Sequence, residues 1–293
     1  MIRAGANGAS VTAITTVKDM IEIPEAQTLA RQLAETLTGK VIVSAVAASS
    51  PHGFAWYFGD PAGYGDLLNG KTITGAEAHG GRPEISAEDM RICFGDGVNM
   101  RYLAPGTKPP GKHQLLIDFD DGSATCCTVQ MYGCLEAFPE GENDNPYYLV
   151  GKQKPSPLND EFDYAYFQAL LTDERLSAKA FLATQQRIPG LGNGVLQDVL
   201  WECKIHPKRK MSSLNQTEIE LMFTSVKSVL AGMTAAGGRD TEKNLFGQLG
   251  GYPVVLSRRT DQTPCPRCGS PIKRAAYLGG NIYFCEECQR LPT

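Results

Sequence analysis

The 293-residue chain contains no run of about 18 consecutive apolar residues, so no part of it predicts a membrane-spanning helix. Its first nineteen residues, MIRAGANGASVTAITTVKD, lack the long apolar centre of a secretory signal, and the expected compartment is therefore the cytoplasm. A disulfide framework is missing too. Of nine cysteines, Cys93, Cys126, Cys127, Cys134 and Cys203 are scattered or adjacent and read as buried thiols, while the other four cluster near the end. With 42% apolar residues the chain can fill one large domain or two smaller ones.

Charge is unevenly placed. Residues 1–178 hold 13 Lys+Arg against 23 Asp+Glu, a balance of −10, and residues 179–293 hold 15 against 9, a balance of +6. A basic C-terminal half beside an acidic one points to a polyanion bound mainly by the C-terminal half. The pattern also changes in kind near residue 150. Before it, runs such as KVIVSAVAAS, KTITGAEAH, MRICFGDGVNMRYL and HQLLIDFDDGSATCCTVQMYG predict strands, with Asp120-Asp121-Gly122 as a hairpin turn. One helix over 24–38 precedes them, its Leu29, Leu33 and Leu37 spaced by four and its end marked by Gly39. The polar, proline-rich segment PEGENDNPYYLVGKQKPSPLNDEF reads as a linker, and helices are expected over 160–171, 177–186, 193–203 and 215–235.

The most specific chemical signal is CPRCGSPIKRAAYLGGNIYFCEEC. The pairs Cys265/Cys268 and Cys285/Cys288 have the spacing that lets two knuckles present four thiolates to one zinc ion, and four thiolates close the sphere, so the metal should be structural. Residues 277–281 then form the tip of a hairpin held by the zinc. The other signal is QQRIPGLGNGVLQDVLWECKIHP. Ile188-Pro189 ends one helix, Gly190 and Gly192 permit a tight turn, and Asn193 opens the next helix, whose free N–H groups suit a backbone phosphate. The downstream Lys204, Lys208, Arg209 and Lys210 add positive charge.

These two segments, with IEIPEA at 21–26, KPSPLNDEF at 154–162 and GGRDTEKNLFGQLGGY at 237–252, resemble in order and spacing the formamidopyrimidine-DNA glycosylase and endonuclease VIII family over about 270 residues. The resemblance implies an α+β fold: an extension at 1–19, a β-sandwich with flanking helices at 20–142, a linker at 143–158, a helix-two-turn-helix domain at 159–255 and a zinc finger at 256–293. It also implies a monomer that binds double-stranded, damaged DNA at the nucleoid and belongs to base-excision repair. Carried over by position, Glu22 matches the catalytic glutamate and Glu25 a second acid of the helix start, while Asn193, Lys179 and the amides around Gly192 match the phosphate-binding group.

Several matching positions depart from the family. Its N-terminal proline, the secondary amine that forms a Schiff base, falls at Ile21, whose nitrogen is an amide because Met20 and nineteen earlier residues precede it. Its turn lysine falls in AHGGRPE, where Arg82 supplies charge only; Tyr132 is the one wedge for the space behind an everted base; and the arginine of the zinc hairpin falls at Gly280. Three readings follow. In one, a DNA-binding member of the fold has lost lyase chemistry or keeps only hydrolysis through Glu22 and a water. In another, it is an active glycosylase and AP lyase working from a different amine. In the third, the zinc hairpin is a protein-interaction module.

Overall fold

The structure is a computed structural model and describes residues 20–291; the expected extension at 1–19 lies outside the described residues. Helix α1 (Ile23–Leu37) begins at Glu22, whose backbone amide donates to the Glu25 side chain three residues on. Its buried stripe of Ala26, Leu29, Ala30, Leu33 and Leu37 packs on the sheet strands β3 (Ile73–His79) and β4 (Arg82–Ala87). The remaining strands of that sheet are β1 (Ile42–Ala47), β2 (Ala55–Trp56), β5 (Met90–Leu103), β6 (Leu115–Phe119) and β7 (Ala124–Pro139), with a short helix α2 (Tyr64–Leu68) between β2 and β3.

The strands of the expected α+β fold are hydrogen-bonded in the order β1-β6-β7-β5-β4-β3, with β2 parallel on β7, as one seven-stranded sheet. The long strands β5 and β7 run through both halves. Their register jumps between Asp96, opposite Gly133, and Val98, opposite Val129, so residues 130–132 bulge out of the ladder. Ile42, Ile85, Ile92, Phe94, Leu115, Phe119 and Leu135 fill the core beneath. The expected hairpin at Asp120–Gly122 joins β6 to β7, with Gly122 at φ +79°.

The segment read as a linker contains a helix, α3 (Pro146–Gln153). Asn145 caps it by accepting from the Tyr147 amide at 2.9 Å, Pro146 occupies its first turn, and Tyr148 buries its ring against Phe138. Its polar composition hid a short helix anchored by one aromatic. The later helices are α4 (Tyr164–Ala169), α5 (Ala178–Ala183), α6 (Val195–Glu202) and α7 (Gln216–Ala235), around a second core of Phe162, Phe167, Phe181, Leu196, Leu200, Met222 and Leu230 that also takes in Ile23 of α1. α5 stops short of the proline because Thr184 is extended and Gln185 and Gln186 turn into positive φ (57° and 49°). The chain closes with the hairpin of β8 (Lys273–Tyr277) and β9 (Gly280–Phe284), whose turn residues Leu278 and Gly279 both have positive φ, as a tight two-residue hairpin requires. Among the described residues no helix is long and apolar enough to cross a membrane.

Buried Asp198 ties α6 to the approach to this hairpin by accepting from the amides of Val255 and Leu256 at 2.9 and 2.8 Å. Burial pushes its carboxyl up to about 6 despite those two bonds. A raised carboxyl pKa means that the folded state holds the proton more tightly, so this group's contribution to stability falls as pH rises from about 4 to about 6. Asp198→Asn is therefore expected to gain on the unsubstituted protein by about 2 kcal/mol between pH 4 and pH 7. Urea unfolding of both proteins at the two pH values checks it, and a constant difference contradicts it.

Candidate functional site

The glycine-rich turn exists to admit a carboxylate. Glu22, 6% exposed, reaches from the start of α1 to the N-terminus of α6, where Oε1 accepts from the Gly194 amide and Oε2 from the Val195 amide, both at 2.8 Å. A Cβ at Gly192 would stand 2.7 Å from the Glu22 carboxyl carbon, and Gly194 packs against the same carboxylate and against Arg239. Burial raises the pKa of Glu22, opposed first by the charge of Arg239 and then by the two amides. Gly192→Ala is expected to displace the carboxylate and cost about 1–3 kcal/mol, read as a lower midpoint in thermal unfolding.

Arg239 is the residue that sequence reading missed. It lies in the quoted segment GGRDTEKNLFGQLGGY, 3% exposed, and donates to Glu25 from its backbone N–H (3.1 Å), Nε (2.9 Å) and Nη2 (2.8 Å). Its Nη1 lies 3.8 Å from Glu22, and its Nη2 donates to the Met20 carbonyl. Burial works against the guanidinium charge and is outweighed by Glu25 and Glu22. One cation thus holds both acids at the start of α1, with Glu25 as the direct partner and Glu22 as the shared one.

Lys179, Asn193 and Gly280 come together at the hairpin of β8 and β9. The Lys179 ammonium donates to the Tyr277 carbonyl at 2.8 Å, and the Asn193 amide donates to the Asn281 carbonyl at 3.1 Å. Gln197 accepts from the Tyr283 amide and donates to Asn281. A Cβ at Gly280 would meet Lys179 Nζ at 3.6 Å and Asn193 Nδ2 at 3.7 Å. Burial lowers the pKa of Lys179. Lys208 sits over the Tyr277 ring on the same side. The rest of the basic run is spent elsewhere: Arg209 is paired with Glu218 in a fork and Lys210 donates to the Arg175 carbonyl. The basic run is therefore not one patch.

Two cavities open beside Ile21. One, of about 560 Å³, is bordered by Glu22, Asp96, Gln186, Asn193 and Arg239. The other, of about 420 Å³, is bordered by Ile21, Asp96, Arg82, Trp56 and Tyr132. The Ile21 amide donates to the Asp96 carbonyl at 2.9 Å and closes an antiparallel bridge. Arg82 donates to the Cys134 sulfur at 2.9 Å and lies 3.4 Å from Glu136. Tyr132, lifted out by the bulge, stacks on Trp56 with ring centres 5.9 Å apart and meets Phe54 edge-on at 4.9 Å. All three rings are exposed, an arrangement for which HGFAWY gave no periodic signal.

The sulfurs of Cys265, Cys268, Cys285 and Cys288 all lie within 4.8 Å of one another, with Cys265–Cys288 at 3.9 Å and Cys268–Cys285 at 3.4 Å. Zn–S bonds of about 2.3 Å in a tetrahedron put sulfurs about 3.8 Å apart, so the four thiolates fit zinc. Trp201 Nε1 approaches the Cys265 sulfur at 3.4 Å, and Gln289 joins the Cys285 amide to the Ile205 carbonyl, which seats the cysteine knuckles on α6 and the chain that follows it.

A β-sheet, a helix-two-turn-helix segment and a four-cysteine hairpin arranged around a buried glutamate define a glycosylase-type fold. Residues 154–244 match the family model "Formamidopyrimidine-DNA glycosylase H2TH domain". The formamidopyrimidine-DNA glycosylase of Lactococcus lactis subsp. cremoris is 30% identical over 281 residues, covering 92% of this chain and all of the relative, and that of Geotalea uraniireducens is 28% identical over 278 residues with 92% and 100% covered. A solved complex between the Lactococcus lactis enzyme and DNA containing an abasic site superposes with a TM-score of 0.78 at 26% identity, covering 92% of this chain and 100% of that one. The chain belongs to the formamidopyrimidine-DNA glycosylase family.

Proposed function

We propose that the protein binds damaged double-stranded DNA as a monomer at the nucleoid in the cytoplasm, and removes a base by hydrolysis without lyase chemistry. The observation that carries this reading is the pair Ile21 and Glu22. The nitrogen at the amine position is a peptide nitrogen, its lone pair delocalised and its N–H bonded to Asp96, so it forms no Schiff base. The neighbouring carboxylate is kept, buried and oriented on the first amides of α6. The duplex lies between the sheet domain (20–142) and the helical and zinc segments (159–255 and 256–293), joined by 143–158. Lys179, Asn193 and Lys208 take its phosphates together with the hairpin tip, and Tyr132 enters the stack. A solved relative holding abasic-site DNA supports that placement. Glu22 stabilises positive charge developing on the sugar, and Glu25 positions Arg239 beside it. Zinc, held by the four cysteines, supplies no step and keeps the hairpin in shape.

Borohydride reduction with an abasic duplex is expected to trap no covalent adduct, while gel shift shows binding that weakens as salt rises. Release of an oxidised base with the strand left intact completes the result. A trapped adduct lost in Glu22→Gln would sink the reading, because some other amine would then act. Recognition without base removal is a second reading, favoured by one observation: both Glu22 oxygens already accept amide bonds. Under that reading no lesion yields free base.

A further inference from the structure

We infer that Asp96 is the carboxylate that activates the hydrolytic water, an assignment that rests on the proposed function above. A hydrolytic site needs a group free to accept a proton, and Glu22 has both oxygens committed to the amides of Gly194 and Val195. Asp96 is placed differently. Its backbone is bridged to Ile21, the residue next to Glu22, and it borders both cavities, so it stands where an attacking amine is absent. It is half-buried, and among the described residues its carboxylate makes no hydrogen bond. The nearby Arg82, which faces Asp96 electrostatically, donates its hydrogen bonds to Cys134 and Glu136.

The local backbone supports a fixed orientation. Asp96 sits between Gly95 and Gly97 at the register jump of β5 and β7, with φ at +57°, a left-handed conformation that Asp and Asn tolerate better than most residues. Gln186, also at positive φ, borders the same two cavities and adds an amide that can hold the water. In the step, a water O–H proton passes to the Asp96 carboxylate as the oxygen bonds to C1′ of the damaged nucleotide. The C1′–N bond breaks, its electron pair leaves with the base, and the base takes a proton from solvent. The protonated Asp96 then returns its proton to solvent. Glu22 remains anionic beside the sugar throughout.

The test is single-turnover base release from duplexes carrying formamidopyrimidine, 8-oxoguanine or oxidised pyrimidine, with the zinc-loaded protein and Asp96→Asn. Asn keeps the left-handed backbone and the shape. Base release is expected to fall at least about 100-fold, with affinity for a tetrahydrofuran-containing duplex within about twofold of the unsubstituted protein. Product formed in ¹⁸O-water should carry the label at C1′. A variant that keeps its rate within about threefold overturns the assignment alone. If the unsubstituted protein releases no base from any of these duplexes, the hydrolytic reading falls and the assignment with it.

Discussion

Arg239→Met is expected to cost the fold about 3–5 kcal/mol, because it leaves two buried carboxylates without their counter-charge. The guanidinium is 3% exposed and makes two bonds to Glu25 while facing Glu22, so no solvent stands ready to replace it. The loss should shrink as pH falls. Arg239 opposes the upward push of burial on Glu22, so without the cation that acid prefers to be neutral, and protonation removes the charge that burial penalises. Urea unfolding at pH 7 and pH 5 reads both effects. Arg239→Lys should recover little, since a single ammonium cannot reproduce the fork that Glu25 receives. A deficit under about 1 kcal/mol at pH 7 would mean that the two acids are stable together without the clamp.

Removing zinc should be the most damaging change to DNA binding. The hairpin of β8 and β9 is two short strands, and a lone two-stranded ribbon is marginal in water, so the knuckles built by the four cysteines keep it in place. Its backbone in turn holds Lys179 through Tyr277 and Asn193 through Asn281. In Cys285→Ser, metal analysis is expected to fall from about one zinc per chain to below about 0.5. Amides of residues 273–284 should then lose protection in hydrogen exchange, and duplex affinity should drop by more than about tenfold. The core around Phe162, Phe167 and Met222 includes no residue of the hairpin, so helical circular dichroism should persist. Unchanged affinity in a zinc-free protein would remove the hairpin from the interface.

Features set by local spacing were legible in the sequence, and features set by distant contact were not. The α1 stripe, the Asp120–Gly122 turn, the long helix at 216–235 and the cysteine knuckles each follow from residues within a few positions of one another. Arg239 lies 214 residues from Glu25, and nothing in its own segment marks it as the partner of a helix start. Asn193 read as an open phosphate site because its helix start was visible, whereas the hairpin carbonyl it bonds lies 88 residues on. The basic run Lys208-Arg209-Lys210 looked continuous in sequence, yet the capping acid Glu218 of α7 claims its middle member. Tyr132 was singled out, but its stack with Trp56 depends on an extrusion of three residues that only strand register reveals.

The meeting of Gly81 with Gly190 bears on how a duplex fits. A Cβ at Gly81 would stand 3.1 Å from the Gly190 Cα and 3.1 Å from the Ile21 carbonyl, so the sheet and the helical segment touch there main chain to main chain. No side chain can change rotamer to widen such a joint. On the proposed function the elastic work of fitting falls on the nucleic acid. Base steps that kink readily beside a lesion would be engaged more tightly than stiff ones, and the frame would be sensitive to flanking sequence it never reads by base contact.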